Sequence, residues 1–217
     1  MRKLCTLLVV LFAIVMNARA YDFFAYNSDG VKIYYEQPDY YVAELKVTFG
    51  DDAYSGHVEI PATVNVNGQI FTVIGIGVES FSGDSQLTSV SIPNTVRTIE
   101  RNAFYYCSKL TSITLPESIE SIGNYAFAGC KNFTTFEFPP LVTNISEGVL
   151  QNCSALTTIS IGSNICATGN GAFAGCNSLD NFVMTGANDY LEVSQDGNLL
   201  IINAEGGYKR TDSLCSL

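Results

Sequence analysis

The chain has 217 residues, 47% of them hydrophobic and 15% charged, with a formal net charge of −10. An apolar share of that size supports a buried core and excludes a wholly disordered chain. The acidic excess excludes nucleic acid and anionic lipid as expected partners, because phosphate binding needs clustered Lys and Arg.

The first element is a targeting segment. Arg2 and Lys3 precede an apolar run from Leu4 to Met16, and Ala18-Arg19-Ala20 offers the small side chains that signal peptidase accepts. The run is shorter than the roughly 20 residues that span a bilayer. Residues 1–20 are therefore expected to be a signal peptide cleaved after Ala20, which makes the protein secreted or cell-surface. Losing Arg2, Lys3 and Arg19 with it would take the formal charge from −10 to −13.

Residues 21–57 are expected to form an N-terminal β cap. They are rich in Tyr and Phe, and Val31–Tyr35 and Tyr41–Phe49 have strand composition. An aromatic sugar-binding platform is the alternative reading of the same rings.

Residues 58–184 carry a repeat. Leu87-Thr-Ser-Val-Ser-Ile-Pro93, Leu110-Thr-Ser-Ile-Thr-Leu-Pro116, Phe133-Thr-Thr-Phe-Glu-Phe-Pro139, Leu156-Thr-Thr-Ile-Ser-Ile-Gly162 and Leu179-Asp-Asn-Phe-Val-Met184 begin 23 residues apart. A second half repeats in phase: Ala103-Phe104, Ala126-Phe127, Val149-Leu150 and Ala172-Phe173, each followed three residues later by Cys107, Cys130, Cys153 or Cys176. A unit of this size cannot bury its own apolar face, but stacked identical units can. Apolar residues two apart, such as Ile113 and Leu115, read as one face of a short strand. Ala126-Phe127 reads as a short helical or 3-10 turn, and the proline after each strand ends it. An interrupted opening repeat, 58–86, precedes these, widened by a hairpin at Asn67-Gly68. Residues 185–217 are expected to close the other end, with Tyr190–Val193 and Leu199–Ile202 as a hairpin and a loose tail from Ala204.

The unit at Leu110 to Asn132, with Ile122-Gly123, Ala126-Phe127 and Cys130, resembles the BspA-like leucine-rich repeat, roughly Leu-x-x-Ile-x-Leu-Pro-x-x-Val-x-x-Ile-Gly-x-x-Ala-Phe-x-x-Cys. The chain departs from that pattern at Phe133, Phe136 and Phe138, at Leu150 in place of Phe, and at Thr168 in place of Ile. The resemblance implies a leucine-rich-repeat solenoid, mostly β, with a sheet of short parallel strands. It also implies a secreted or surface binding module that adheres to host or matrix protein or to other cells.

Six cysteines follow the expected cleavage site. Cys107, Cys130, Cys153 and Cys176 share one repeat position, so they are expected to stack as a ladder of small buried side chains, pointing the same way and poorly placed for bridges. No metal and no cofactor is expected, since no Cys-x-x-Cys pair or His cluster offers ligands. Catalytic signals are missing as well. His57 is the only histidine, and no phosphate loop or nucleophile elbow occurs. Gly123, Gly129, Gly171 and Gly175 are expected to serve turns that need positive φ.

The expected binding residues lie between core positions on the strands: Thr88 and Ser91, Thr111 and Thr114, Thr134 and Glu137, Thr157 and Ser160. Stacking would align them into surface columns able to meet a protein or a glycan. A non-enzymatic binding module is the leading reading, and a scaffold component of a surface assembly is the alternative.

Overall fold

The computed structural model describes residues 21–162, 164–185, 190–193, 199–202 and 208–210. The expected signal peptide and Cys215 lie outside them. The cap is a three-stranded antiparallel meander of β1 (Phe23–Tyr26), β2 (Lys32–Glu36) and β3 (Glu44–Thr48). β1 was not anticipated, although it alternates Phe23 and Ala25 inward with Phe24 and Tyr26 outward. The expected strand at 41–49 is shortened at its start. Tyr41 is 98% exposed, and its N–H is held at 2.8 Å by the Asp39 carboxylate in a local turn.

β4 (Ser55–Glu59) opens the repeats, and β5 (Thr63–Val66) and β6 (Gln69–Ile76) form the hairpin. Its two turn residues, Asn67 and Gly68, have φ of 53° and 88°, as the twist of a two-residue hairpin demands. β3 pairs in parallel with β6, which joins the cap sheet directly to the first coil.

The later coils are bonded to one another along three lines, the first two of which break between the coils that begin at Leu110 and Phe133. The first is the strand face: β4 against β7 (Gln86–Ser91), a single bridge from Ser91 to Thr114, then β10 (Thr135–Glu137), β12 (Thr158–Gly162) and β14 (Asn181–Thr185), all parallel. The second is a run of two-residue strands that β6 begins. β8 (Thr98–Ile99) and β9 (Ser121–Ile122) continue it, and β11 (Asn144–Ile145) with β13 (Ala167–Thr168) repeat it further on.

The third line lies in the turns. Among the described residues no helix forms. The expected helical or 3-10 turns take the form of chained bonds from residue i to i−3, such as Tyr105 N–H to Asn102 O and Cys107 N–H to Phe104 O. Alternate N–H groups reach across to the next coil: Phe81 to Ala103 at 2.8 Å, Phe104 to Ala126 at 2.7 Å, Phe127 to Val149 at 2.9 Å and Leu150 to Ala172 at 3.0 Å. Every turn is thereby tied both to itself and to its neighbour, which satisfies backbone groups that would otherwise be orphaned.

The core follows the period. Phe81, Phe104 and Phe127 are fully buried and lie parallel, with centroids 4.9 and 5.2 Å apart and planes within 4°. Tyr54 closes the stack on the cap side, 4.6 Å from Phe81. Leu150 interrupts it on the other side. Phe136 then packs 5.1 Å from Phe127, and Phe138 meets Phe173 edge-on. The departures from the repeat pattern therefore compensate one another: three phenylalanines on the strand replace the volume that Leu150 lacks.

Gly123 differs from expectation. Its φ is not among the positive ones, whereas Gly129, Gly171 and Gly175 have φ between 61° and 77°. A side chain at Gly123 would meet the Arg101 backbone nitrogen at 2.5 Å, so close contact between coils requires glycine there. At the far end β15 (Tyr190–Val193) and β16 (Leu199–Ile202) pair antiparallel. β17 (Tyr208–Arg210) adds a third strand to β16, where a loose tail was expected.

Candidate functional site

The four repeat cysteines stack as a ladder, and each donates its S–H to a carbonyl one coil earlier. Cys107 reaches Phe81 O at 2.9 Å, Cys130 Phe104 O at 3.3 Å, Cys153 Phe127 O at 3.3 Å and Cys176 Leu150 O at 3.1 Å. None is bridged. Burial pushes the thiols of Cys107, Cys130 and Cys153 far above their ordinary value, and that of half-buried Cys176 up to about 11. Native protein at pH 8 is thus expected to leave Cys107, Cys130 and Cys153 unlabelled by a maleimide, as read by peptide mapping, until denaturant is added. Labelling in the native state at the rate of an unstructured thiol would contradict the ladder.

One coil before Cys107 the ladder position holds Asp84 rather than a thiol. Asp84 is 8% exposed, and burial raises its carboxyl to about 6, against a smaller opposing hydrogen bond from the Tyr54 backbone. It lines a cavity of about 310 Å³ between the cap residues Phe49–Tyr54 and the first turn, Glu79–Asp84. Two other acids at the rim are already engaged: Asp52 accepts from Tyr34 Oη at 2.6 Å and pairs with Lys32, and Glu79 pairs with Arg101. Among the described residues no group of three or more His, Cys, Asp or Glu is placed to hold a metal ion.

The strand face is built from two columns. Parallel register puts His57 beside Ser89, then Thr135 beside Thr158 and Thr158 beside Asn181; Ser112 holds the equivalent place in its coil. The second column pairs Glu59, Ser91 and Thr114, then Glu137 with Ser160, and the 23-residue period gives Glu137 the place that Thr114 holds one coil earlier. Residues two apart share a face, so these columns lie side by side, about 4.8 Å between coils. Ser91, Thr114 and Glu137 are exposed and Ser160 is half-buried, as the second column requires. Thr88, Thr111, Thr134 and Thr157 are exposed too, but they sit one position before that face. At Thr88 the register with β4 slips, with Gly56 opposite Leu87 and His57 opposite Ser89. Thr157 uses its hydroxyl on Thr134 O at 3.0 Å.

The residues of this face that spacing did not single out are therefore His57 and Glu59. The slip of β4 against β7 at Thr88 takes the entry strand out of the phase that would have revealed them.

His57 heads the first column. Its Nδ1 lies 2.7 Å from Ser89 Oγ and its Nε2 3.4 Å from Ser91 Oγ. A nucleophilic pair needs a base oriented by a third group. Here both ring nitrogens are taken by serines on an exposed strand face. The arrangement presents donors and acceptors in fixed rows, which is binding chemistry.

Parallel coils of one short period, a buried aromatic and thiol stack and an ordered strand face define a leucine-rich-repeat solenoid, a class built around extended binding surfaces. The chain belongs to the BspA-type leucine-rich-repeat family, whose repeat matches residues 74–194 in six copies. Among solved structures it is similar to the leucine-rich-repeat protein of T. pallidum, at 19% identity and a TM-score of 0.53 over 74% of this chain and 78% of that one. It is also similar to a leucine-rich-repeat protein of Bacteroides capillosus, at 27% identity and a TM-score of 0.50 over 71% and 94%. A leucine-rich cell surface protein of Faecalibacterium prausnitzii shares 23% identity at a TM-score of 0.47 over 85% of this chain; the chain spans 57% of its length. No curated protein matches. Among the described residues no helix is long and apolar enough to cross a membrane.

Proposed function

We propose that the protein is a secreted or cell-surface, non-enzymatic binding module that adheres to a host or matrix protein, or to another cell, through its strand face. The observation that carries this reading is the pair of outward columns, in paired register from His57 and Glu59 to Ser91 and Thr114 and again from Thr135 and Glu137 through the last coils. Hydroxyls, one imidazole, one amide and two carboxylates stand there without a Lys or Arg. Such a face offers hydrogen bonds in rows at the spacing of a sheet and pays no reorganisation, because the strands hold it. Family membership in a class of binding scaffolds supports the same reading.

The test uses the chain lacking residues 1–20, immobilised and titrated with a panel of extracellular-matrix proteins and glycans. Binding to one of them is expected to fall at least tenfold in the double variant Thr114→Arg, Ser160→Arg, with the melting temperature unchanged, since both sites lie on the outer face. No binding above a scrambled-surface control, or binding indifferent to the double variant, would contradict this assignment.

A further inference from the structure

The turns contain two rows of left-handed backbone, each repeating with the coil. One row is Glu79, Asn102, Tyr125, Gly148 and Gly171, with φ from 56° to 61°; the other is Gly83, Tyr106, Gly129, Asn152 and Gly175, with φ from 58° to 79°. Seven of these ten places hold Gly or Asn, the residues that tolerate this conformation. Tyr106 and Tyr125 are aromatic exceptions in adjacent coils. A bulky residue held there is strained, and such strain concentrates where a surface has a job to do.

Both rings are used in the same way. The Tyr106 ring covers Gly129 and the Tyr125 ring covers Gly148, so a Cβ on either glycine would fall within 3.0 Å of an aromatic carbon. The glycine floor lets the rings lie flat on the next coil. Tyr105 meets Tyr106 edge-to-face at 4.5 Å, and the Tyr125 phenol is raised, first by its hydrogen bond to Glu147 and least by Tyr105. Tyr106 is 42% exposed. The Tyr125 hydroxyl donates to Glu147 at 2.5 Å, which places a carboxylate at the edge of the cluster. Arg101, in the turn before this cluster, is paired with Glu79.

We infer that Tyr105, Tyr106, Tyr125 and Glu147 form a second docking surface, on the turn side, for an arginine-bearing segment of a partner protein. The charge decides the occupant. Aromatic faces attract a cation, and a guanidinium stacks on a ring while its edge pairs with a carboxylate. The chain carries 21 acidic against 11 basic residues, so its long-range field draws a basic segment inward. Tyr and Arg together are also the side chains that dominate interface energetics. This surface lies in the turns, away from the strand columns, and its assignment does not depend on theirs.

The test is a titration of tyrosine-ring-labelled protein with nona-arginine, followed by NMR, with nona-glutamate as control. Shifts are expected at Tyr105, Tyr106 and Tyr125 ahead of the other tyrosines. Tyr106→Gly restores the residue of the neighbouring coils at that position. It is expected to leave the melting temperature equal or higher while weakening binding at least tenfold. Tyr105→Ser, the residue of the preceding coil, removes a ring without a backbone change and is expected to weaken binding as well. Shifts spread evenly over the acidic surface, no shift at the three rings, or variants that melt several degrees lower and bind as before would overturn the inference.

Discussion

Phe104→Ala is expected to cost about 3–5 kcal/mol, the range for removing a fully buried phenylalanine, and to bring the protein close to its unfolding threshold. Phe104 is the middle ring of three, parallel to both neighbours and fully buried. Its loss leaves a cavity that cannot collapse easily, because the turns on either side are bonded to one another at Phe81 and Phe104 N–H. Phe104→Leu should cost far less, since Leu150 already fills the equivalent place in another coil. Urea denaturation monitored by circular dichroism measures both. A loss below about 1 kcal/mol for the alanine variant would mean that the stack does not support the fold.

Asp84→Asn is expected to stabilise the protein at neutral pH and to do almost nothing at pH 4. The folded-state carboxyl sits at about 6, above its ordinary 3.8, so the folded chain binds this proton more tightly than the unfolded one. The stability linked to it is complete below about pH 4 and is lost as pH rises through 6. Two pK units correspond to about 3 kcal/mol, which sets the scale of the difference between the proteins at pH 7.5. The physical cause is a carboxylate buried between Tyr54 and the first thiol of the ladder, where burial penalises charge. Asp84→Cys would extend the thiol row by one coil and is expected to show the same flat profile. Melting temperatures of the wild type and both variants from pH 4 to 8 decide the matter. Parallel curves would show that Asp84 does not titrate in this window.

Much of this architecture is legible in the sequence because one period governs it. Leu87, Leu110, Phe133 and Leu156 mark the strands, and Cys107 to Cys176 mark the ladder, without reference to coordinates. The same period could have identified Asp84 as the residue in the cysteine position, 23 places before Cys107. Other features resist such reading for stated physical reasons. The left-handed turn positions carry Glu79, Tyr106 and Tyr125 as well as glycines, so composition does not announce them. Gly123 is required by its neighbour's backbone and not by its own φ. The register of the entry strand on the strand face depends on a slip at Thr88 that only pairing reveals. That slip takes the entry strand out of the 23-residue period and so hides the place of His57 and Glu59 at the head of the columns.

Everything proposed for the surfaces rests on coils bonded into one continuous stack, and amide hydrogen exchange tests that most directly. The N–H groups of Phe81, Phe104, Phe127 and Leu150 bond only across coils, to Ala103, Ala126, Val149 and Ala172, in the described hydrogen-bond network. They lie in turns, where a local structure alone would leave them fast. Protection of all four close to that of the strand amides of Val90 and Ile159 is the expected result. Exchange at the rate of solvent-exposed turns would contradict the stack, and with it the columns on its faces.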